Sequence, residues 1–128
     1  MKKPHENWFY FANQDLAFAK GGLRDGFFAH VCFLSQQAVE KSMKGYLVFQ
    51  GKDYPKTHGL MTLLRLMDVD WLEEHRVSLK RLSEFYVPLR YPDAIAGSLP
   101  EGLPDKEDAG DAFEWATAIV ETIEAHLV

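Results

Sequence analysis

Apolar residues recur at helical spacing along nearly the whole chain, and the longest uninterrupted run of that pattern is Phe28 to Gln50. It holds no proline and its single glycine, Gly45, falls near the end, so about six turns of continuous helix are predicted at ~3.6 residues per turn. Val31, Ser35, Ala38, Ser42 and Phe49 share one side, with Phe28, Cys32, Val39, Met43 and Tyr46 beside them. That arc is wider than a surface helix needs, which places this helix between neighbours. A narrow polar stripe remains, formed by His30, Gln37, Glu40, Lys41 and Lys44 and flanked by Phe33, at the i, i+3, i+4, i+7 spacing of one helix face. Two readings stand for it: a solvated face shared with Gln36, or a functional seam.

The same periodicity predicts a first helix from about Asn7 to Lys20, with Phe9, Ala12, Leu16 and Ala19 inward, Asn7 as N-cap and Gly21 and Gly22 as its end. Asp25 is positioned to cap the central helix and Gly51 to end it before the turn Lys52, Asp53, Tyr54, Pro55. The first two helices then form an antiparallel hairpin. A short helix follows Thr57 and His58 with Leu60, Leu63, Leu64 and Met67, and Asp70 with Glu73 has the spacing of a capping box opening another, with Leu72, Val77, Leu79 and Leu82. From Pro88 to Pro104 the chain carries four prolines and two glycines, which no helix continues through, so this is a long loop. Asp105, Glu107 and Asp108 favour a helix start, and Ala109, Ala112, Phe113, Ala116, Ile119, Val120, Ile123 and Leu127 form the stripe of a last helix. No stretch alternates with period two. The expected fold is all-α, an up-and-down antiparallel bundle of about five helices in one domain over residues 1–128.

Composition narrows the function classes. A chain of 128 residues with 47% hydrophobic and 26% charged residues suits one globular domain. A net charge of -5 argues against a broad nucleic-acid or lipid-binding surface and restricts any polyanion site to a local patch. Cys32 is the single cysteine, so no internal disulfide forms and a reducing, cytoplasmic setting is expected. Neither an export signal nor a membrane span is indicated. His5, His30, His58, His75 and His126 are scattered without metal-ligand spacing, so neither a metal nor a cofactor is expected. GGLRDG lacks the strand-before, helix-after setting of a phosphate loop. Trp8, Trp71 and Trp115 are read as core or interface residues ahead of base-stacking ones.

The string SQQAVEKSMKGYL, then THGLMTLL, then YVPLRYPD before a last amphipathic helix resembles the HEPN domain, the "higher eukaryotes and prokaryotes nucleotide-binding" family of helical bundles. Gln37, Ala38, Glu40, Lys41 and Lys44, then Thr57 and His58, then Arg90, Tyr91, Pro92 and Asp93 carry the likeness. The resemblance implies homodimers, a minimal nucleotidyltransferase as partner, and in several branches metal-independent ribonucleases or toxin components. That ribonuclease branch relies on an arginine followed four to six residues later by a histidine. After Arg90 those places hold Ile95, Ala96 and Gly97, so the imidazole that would move the 2′-hydroxyl proton is missing. Arg24 and His30 have a similar spacing, but they straddle the turn into the central helix.

Candidate ligand-binding residues are therefore Arg90, Tyr91, Asp93, Gln37, Lys41, Lys44 and His58, with no catalytic residue assigned. Pro88 and Pro92 brace the backbone around Arg90, and its guanidinium has two readings. It clamps the loop to Glu40 or Asp93, or it forms an anion site with Lys41 and Lys44. His58 is either a ligand contact or a local hydrogen-bonding residue in a first helical turn. The expected function is a non-catalytic homodimeric module that recognises a nucleotide or RNA-type phosphate ligand, or a nucleotidyltransferase partner as in a toxin-antitoxin pair. The alternative is a metal-independent ribonuclease toxin.

Overall fold

In a computed structural model, residues 3–85 and 102–128 are described. They contain α1 (Pro4–Asp25), α2 (Phe28–Phe49), α3 (Leu60–Met67), a 3-10 turn (Glu73–His75), α4 (Arg76–Ser83) and α5 (Lys106–Ala125), with no strand among the described residues. The bundle is all-α, as the periodicity predicts. Most of the proline-rich stretch from Pro88 lies outside the described residues.

Only Gly26 and Phe27 separate α1 from α2, so the two run antiparallel. Contacts follow that register: Gly22 lies against Val31, and Gly45 against Trp8 and Phe9. The first helix is longer than expected at both ends. Gly21 and Gly22 do not stop it, and Pro4 rather than Asn7 opens it. Gly26 ends it in the left-handed conformation (φ 87°), with its N–H on the carbonyl of Gly22, a geometry that glycine adopts without strain. The glycine pair is tolerated inside the helix, where Gly22 leaves room for the first turn of α2. Asp25 is not the cap of α2 either: Phe27 holds that position without a side-chain hydrogen bond, and Asp25 pairs with Arg24.

The other end of α2 closes as expected. Gly51 (φ 75°) follows the helix, its N–H on the carbonyl of Val48 and that of Lys52 on Leu47, a Schellman closure. Gln50 Nε2 donates to the carbonyl of Met67 and Gln36 Nε2 to that of His58. Those bonds tie the end of α3 to the end of α2 and the start of α3 to its middle, so α3 runs parallel to α2. The segment 50–59 carries the chain back along α2, a feature the apolar pattern does not encode. Leu60 N–H on Ser83 Oγ sets α4 antiparallel to α3.

Asp70 and Glu73 form no capping box. Glu73 N–H donates to the backbone carbonyl of Asp70, while the Glu73 carboxylate takes two hydrogen bonds from Arg76. Val77, expected inward, is 75% exposed, whereas Leu72, Leu79 and Leu82 are buried. Asp105 does cap α5, in a reciprocal box with Asp108 at 2.9 and 3.0 Å, which satisfies two otherwise unpaired N–H groups. The core gathers around α2, with Val31, Ala38, Val39, Met43 and Leu47 fully enclosed against Ala12, Leu60, Leu63, Ala116 and Ile119. Among the described residues, no helix is long and apolar enough to cross a membrane.

Candidate functional site on the central helix

The polar stripe of α2 divides into two sets with different surroundings. Glu40 and Lys44, only 5% and 7% exposed, and Gln36, fully buried, do not belong to a solvated face. The breadth of apolar cover over α2 encloses them, and they pair with one another. Lys44 Nζ donates to Glu40 Oε2 at 3.1 Å, while Gln36 Nε2 at 3.2 Å and His58 Nδ1 at 3.0 Å meet Oε1. Gln37 Nε2 donates to Gln36 Oε1 at 2.7 Å and reaches Glu40 Oε1 at 3.5 Å. The Lys44 ammonium also stands 6.0 Å from the centre of the Tyr54 ring, within range of a cation–π attraction. Both oxygens of this buried carboxylate are thus engaged, and the ammonium and the donors offset the cost of enclosing its charge.

The knot joins α2 to the chain before α3. His58 is not in a first helical turn; it precedes Leu60, where α3 begins, and its side chain remains about half exposed. Thr57 Oγ1 accepts the N–H of Gly59, which shapes the turn that delivers the imidazole to Glu40. The THG step is therefore a connection between two helices.

Lys41 points the other way. Its Nζ meets Asp15 Oδ2 of α1 at 2.6 Å, a partner the sequence pattern did not single out because Asp15 lies in a different helix. Both lysines of the stripe are consequently charge-balanced inside the fold. Of the seven candidate ligand residues, the structure brings Gln37, Lys44 and His58 together around Glu40 and sets Lys41 apart with Asp15. Arg90, Tyr91 and Asp93 lie outside the described residues.

Arg24 and His30 do not share a site. Arg24 makes a paired contact with Asp25, at 2.9 and 3.1 Å, and lines a cleft with Lys20 and Lys106. That hydrogen bond holds the Asp25 carboxyl below the usual carboxylate range. His30 instead lines an apolar groove of about 470 Å³ with Phe18, Phe27 and Leu34. Phe18 is 74% exposed and Phe27 58%, and Phe11 and Tyr10, in edge contact at 5.3 Å, continue the aromatic surface along α1. Burial pushes the Cys32 thiol up to about 12, with Asp108 and Asp105 adding to the effect, so this residue is not a nucleophile near neutrality. Among the described residues, no group of three or more His, Cys, Asp or Glu side chains is placed to hold a metal ion.

The HEPN domain model matches residues 5–126, from the first turn of α1 to the end of α5. The chain belongs to the HEPN domain family. Among solved HEPN-like structures, TT1696 from Thermus thermophilus superposes with a TM-score of 0.84 at 31% identity, over 97% of this chain and 98% of that one. ST0689, an archaeal HEPN homologue, superposes with a TM-score of 0.79 at 30% identity, over 99% and 100% of the two chains. In sequence, "Putative toxin MJ1304" of Methanocaldococcus jannaschii is 28% identical over 127 residues, covering 91% of this chain and 83% of the relative. The HEPN likeness seen in SQQAVEKSMKGYL and THGLMTLL thus falls on segments that build the Glu40 knot and its link to α3.

Proposed function

We propose that the protein is a HEPN interaction module that pairs with a second copy of itself and engages a phosphate-bearing ligand or a minimal nucleotidyltransferase without turnover of its own. The observation that carries this reading is the exposed aromatic surface of the α1–α2 hairpin. Tyr10, Phe11, Phe18 and Phe27 each leave more than half of the side chain uncovered, roughly 450 Å² of aromatic surface at ~200 Å² per ring residue. A stable dimer covers about 800 Å² per partner, and the flanks of the groove supply the remainder. The same face holds a protruding ring, Phe11, and a groove beside Phe18 and Phe27. A two-fold pairing needs knob and hollow together on one surface.

The absence of turnover in this reading is supported by the separation of Arg24 from His30 and by the missing histidine after Arg90. With Lys41 and Lys44 balanced by Asp15 and Glu40, the phosphate-recognition part of the reading falls to Arg90. The second reading, a ribonuclease toxin, draws on the likeness to the M. jannaschii protein. Purified protein incubated with single-stranded RNA in the presence of a chelator separates the two. The interaction reading expects RNA of unchanged length and a solution mass of two chains. Cleavage that disappears in Arg24→Ala or His30→Ala protein establishes the ribonuclease instead.

A further inference from the structure

The cations that remain unbalanced in the described fold converge elsewhere. A cleft of about 600 Å³ opens between the C-terminal end of α1 and the start of α5, bordered by Lys20, Arg24 and Lys106. Neither lysine forms an ion pair among the described residues. Their surroundings are acidic in part, but those acids are engaged: Asp25 by Arg24, and Asp105 and Asp108 by each other's backbone in the cap of α5. The opposite wall is apolar, made of Ala17, Leu23 and Phe28, and a side chain at Gly26 would meet nothing within 4 Å, so the mouth is open.

We infer that this cleft binds a small organic phosphomonoester, with the phosphate between Lys20 and Lys106 and the apolar body against Leu23 and Phe28. Two unbalanced ammonium groups match the charge of a phosphomonoester, about -1.5 to -2 near neutrality. Arg24, shared with Asp25, adds a planar donor at the rim. The volume falls in the ~300–1,000 Å³ range of small-molecule pockets, and the combination of an apolar wall with a few polar groups is the usual make-up of such sites. The N-terminal end of α5 contributes a favourable dipole, but the Asp105 carboxylate already takes the N–H of Asp108, so the side-chain cations bear the contact. This inference does not rest on the interaction reading, and it uses neither the aromatic surface nor Arg90.

Calorimetric titration with adenosine 5′-monophosphate, adenosine and inorganic phosphate tests it, on wild-type protein, on K20Q/K106Q and on Arg90→Ala. Both lysines are exposed, so the double variant keeps its fold, which circular dichroism verifies. The expected result is saturable binding of the monophosphate that weakens at least tenfold in K20Q/K106Q and is retained in Arg90→Ala. Adenosine and inorganic phosphate alone bind at least tenfold more weakly. Equal binding by wild type and K20Q/K106Q, loss on Arg90→Ala alone, or no heat from the monophosphate at millimolar concentration overturns the assignment.

Discussion

Glu40 shows how a single residue can be misjudged from its spacing. At i, i+4 from Lys44 on a stripe of charges, it has the pattern of a surface ion pair, which contributes little to stability. Burial changes the magnitude: removing the carboxylate leaves the Lys44 ammonium enclosed with no counter-charge. Glu40→Ala is expected to lower unfolding free energy by about 3–5 kcal/mol, measured by urea denaturation, and adding Lys44→Met should return part of that loss. A shift below 1 kcal/mol would mean that water reaches the pair. Cys32 gives a prediction in pH. Its folded-state pKa, about 12, lies above the ordinary value of 9.0, so the unfolded chain loses the proton first. The stability carried by the protonated thiol is complete below pH 9.0 and is lost as pH rises toward about 12. In denaturation series across that interval, wild-type protein should therefore lose more stability than Cys32→Ala. Parallel curves would refute the shift.

At the scale of elements, the sequence is most legible where one helix face alternates cleanly with the other. The extent of α2, the closure at Gly51, the short α3 and the acidic start of α5 all follow from local spacing and turn chemistry. What local patterns do not carry is contact between helices. Gly21 and Gly22 have the look of a stop signal, yet Gly22 is the place where Val31 approaches. Asp70 and Glu73 have capping-box spacing, yet Arg76 competes for the carboxylate. The Glu40 site was legible in its members on α2, while its link to His58 depends on a turn whose path only the fold shows. Gly45 is the sharpest instance, because a Cβ there would lie 2.8 Å from Trp8 Cβ and 2.9 Å from Phe9 Cε2. Gly45→Ala ought to destabilise by about 1–2 kcal/mol, since overpacking costs ~1–3 kcal/mol and the helix-propensity gain returns at most ~1 kcal/mol. A thermal melt of the variant at or above the wild-type midpoint would show that α1 can move away.

For the whole molecule, the disposition of surface explains more than composition does. An aromatic content of 13% is generous for a chain of this length, and the structure shows where the surplus sits: on the outer side of the α1–α2 hairpin. The core does not need these rings, because Phe18 and Phe27 are largely uncovered while α2 is already enclosed by α1, α3 and α5. A net charge of -5 opposes association of two copies, so pairing must use a face where apolar contact outweighs that repulsion. The hairpin face has that character, with its Asp15–Lys41 pair internally neutral. Phe18→Glu places a carboxylate in the groove without disturbing a buried side chain. Static light scattering at tens of micromolar protein is therefore the most direct test: wild type is predicted at twice the chain mass and Phe18→Glu at the chain mass, and a wild-type protein of single-chain mass would contradict the account.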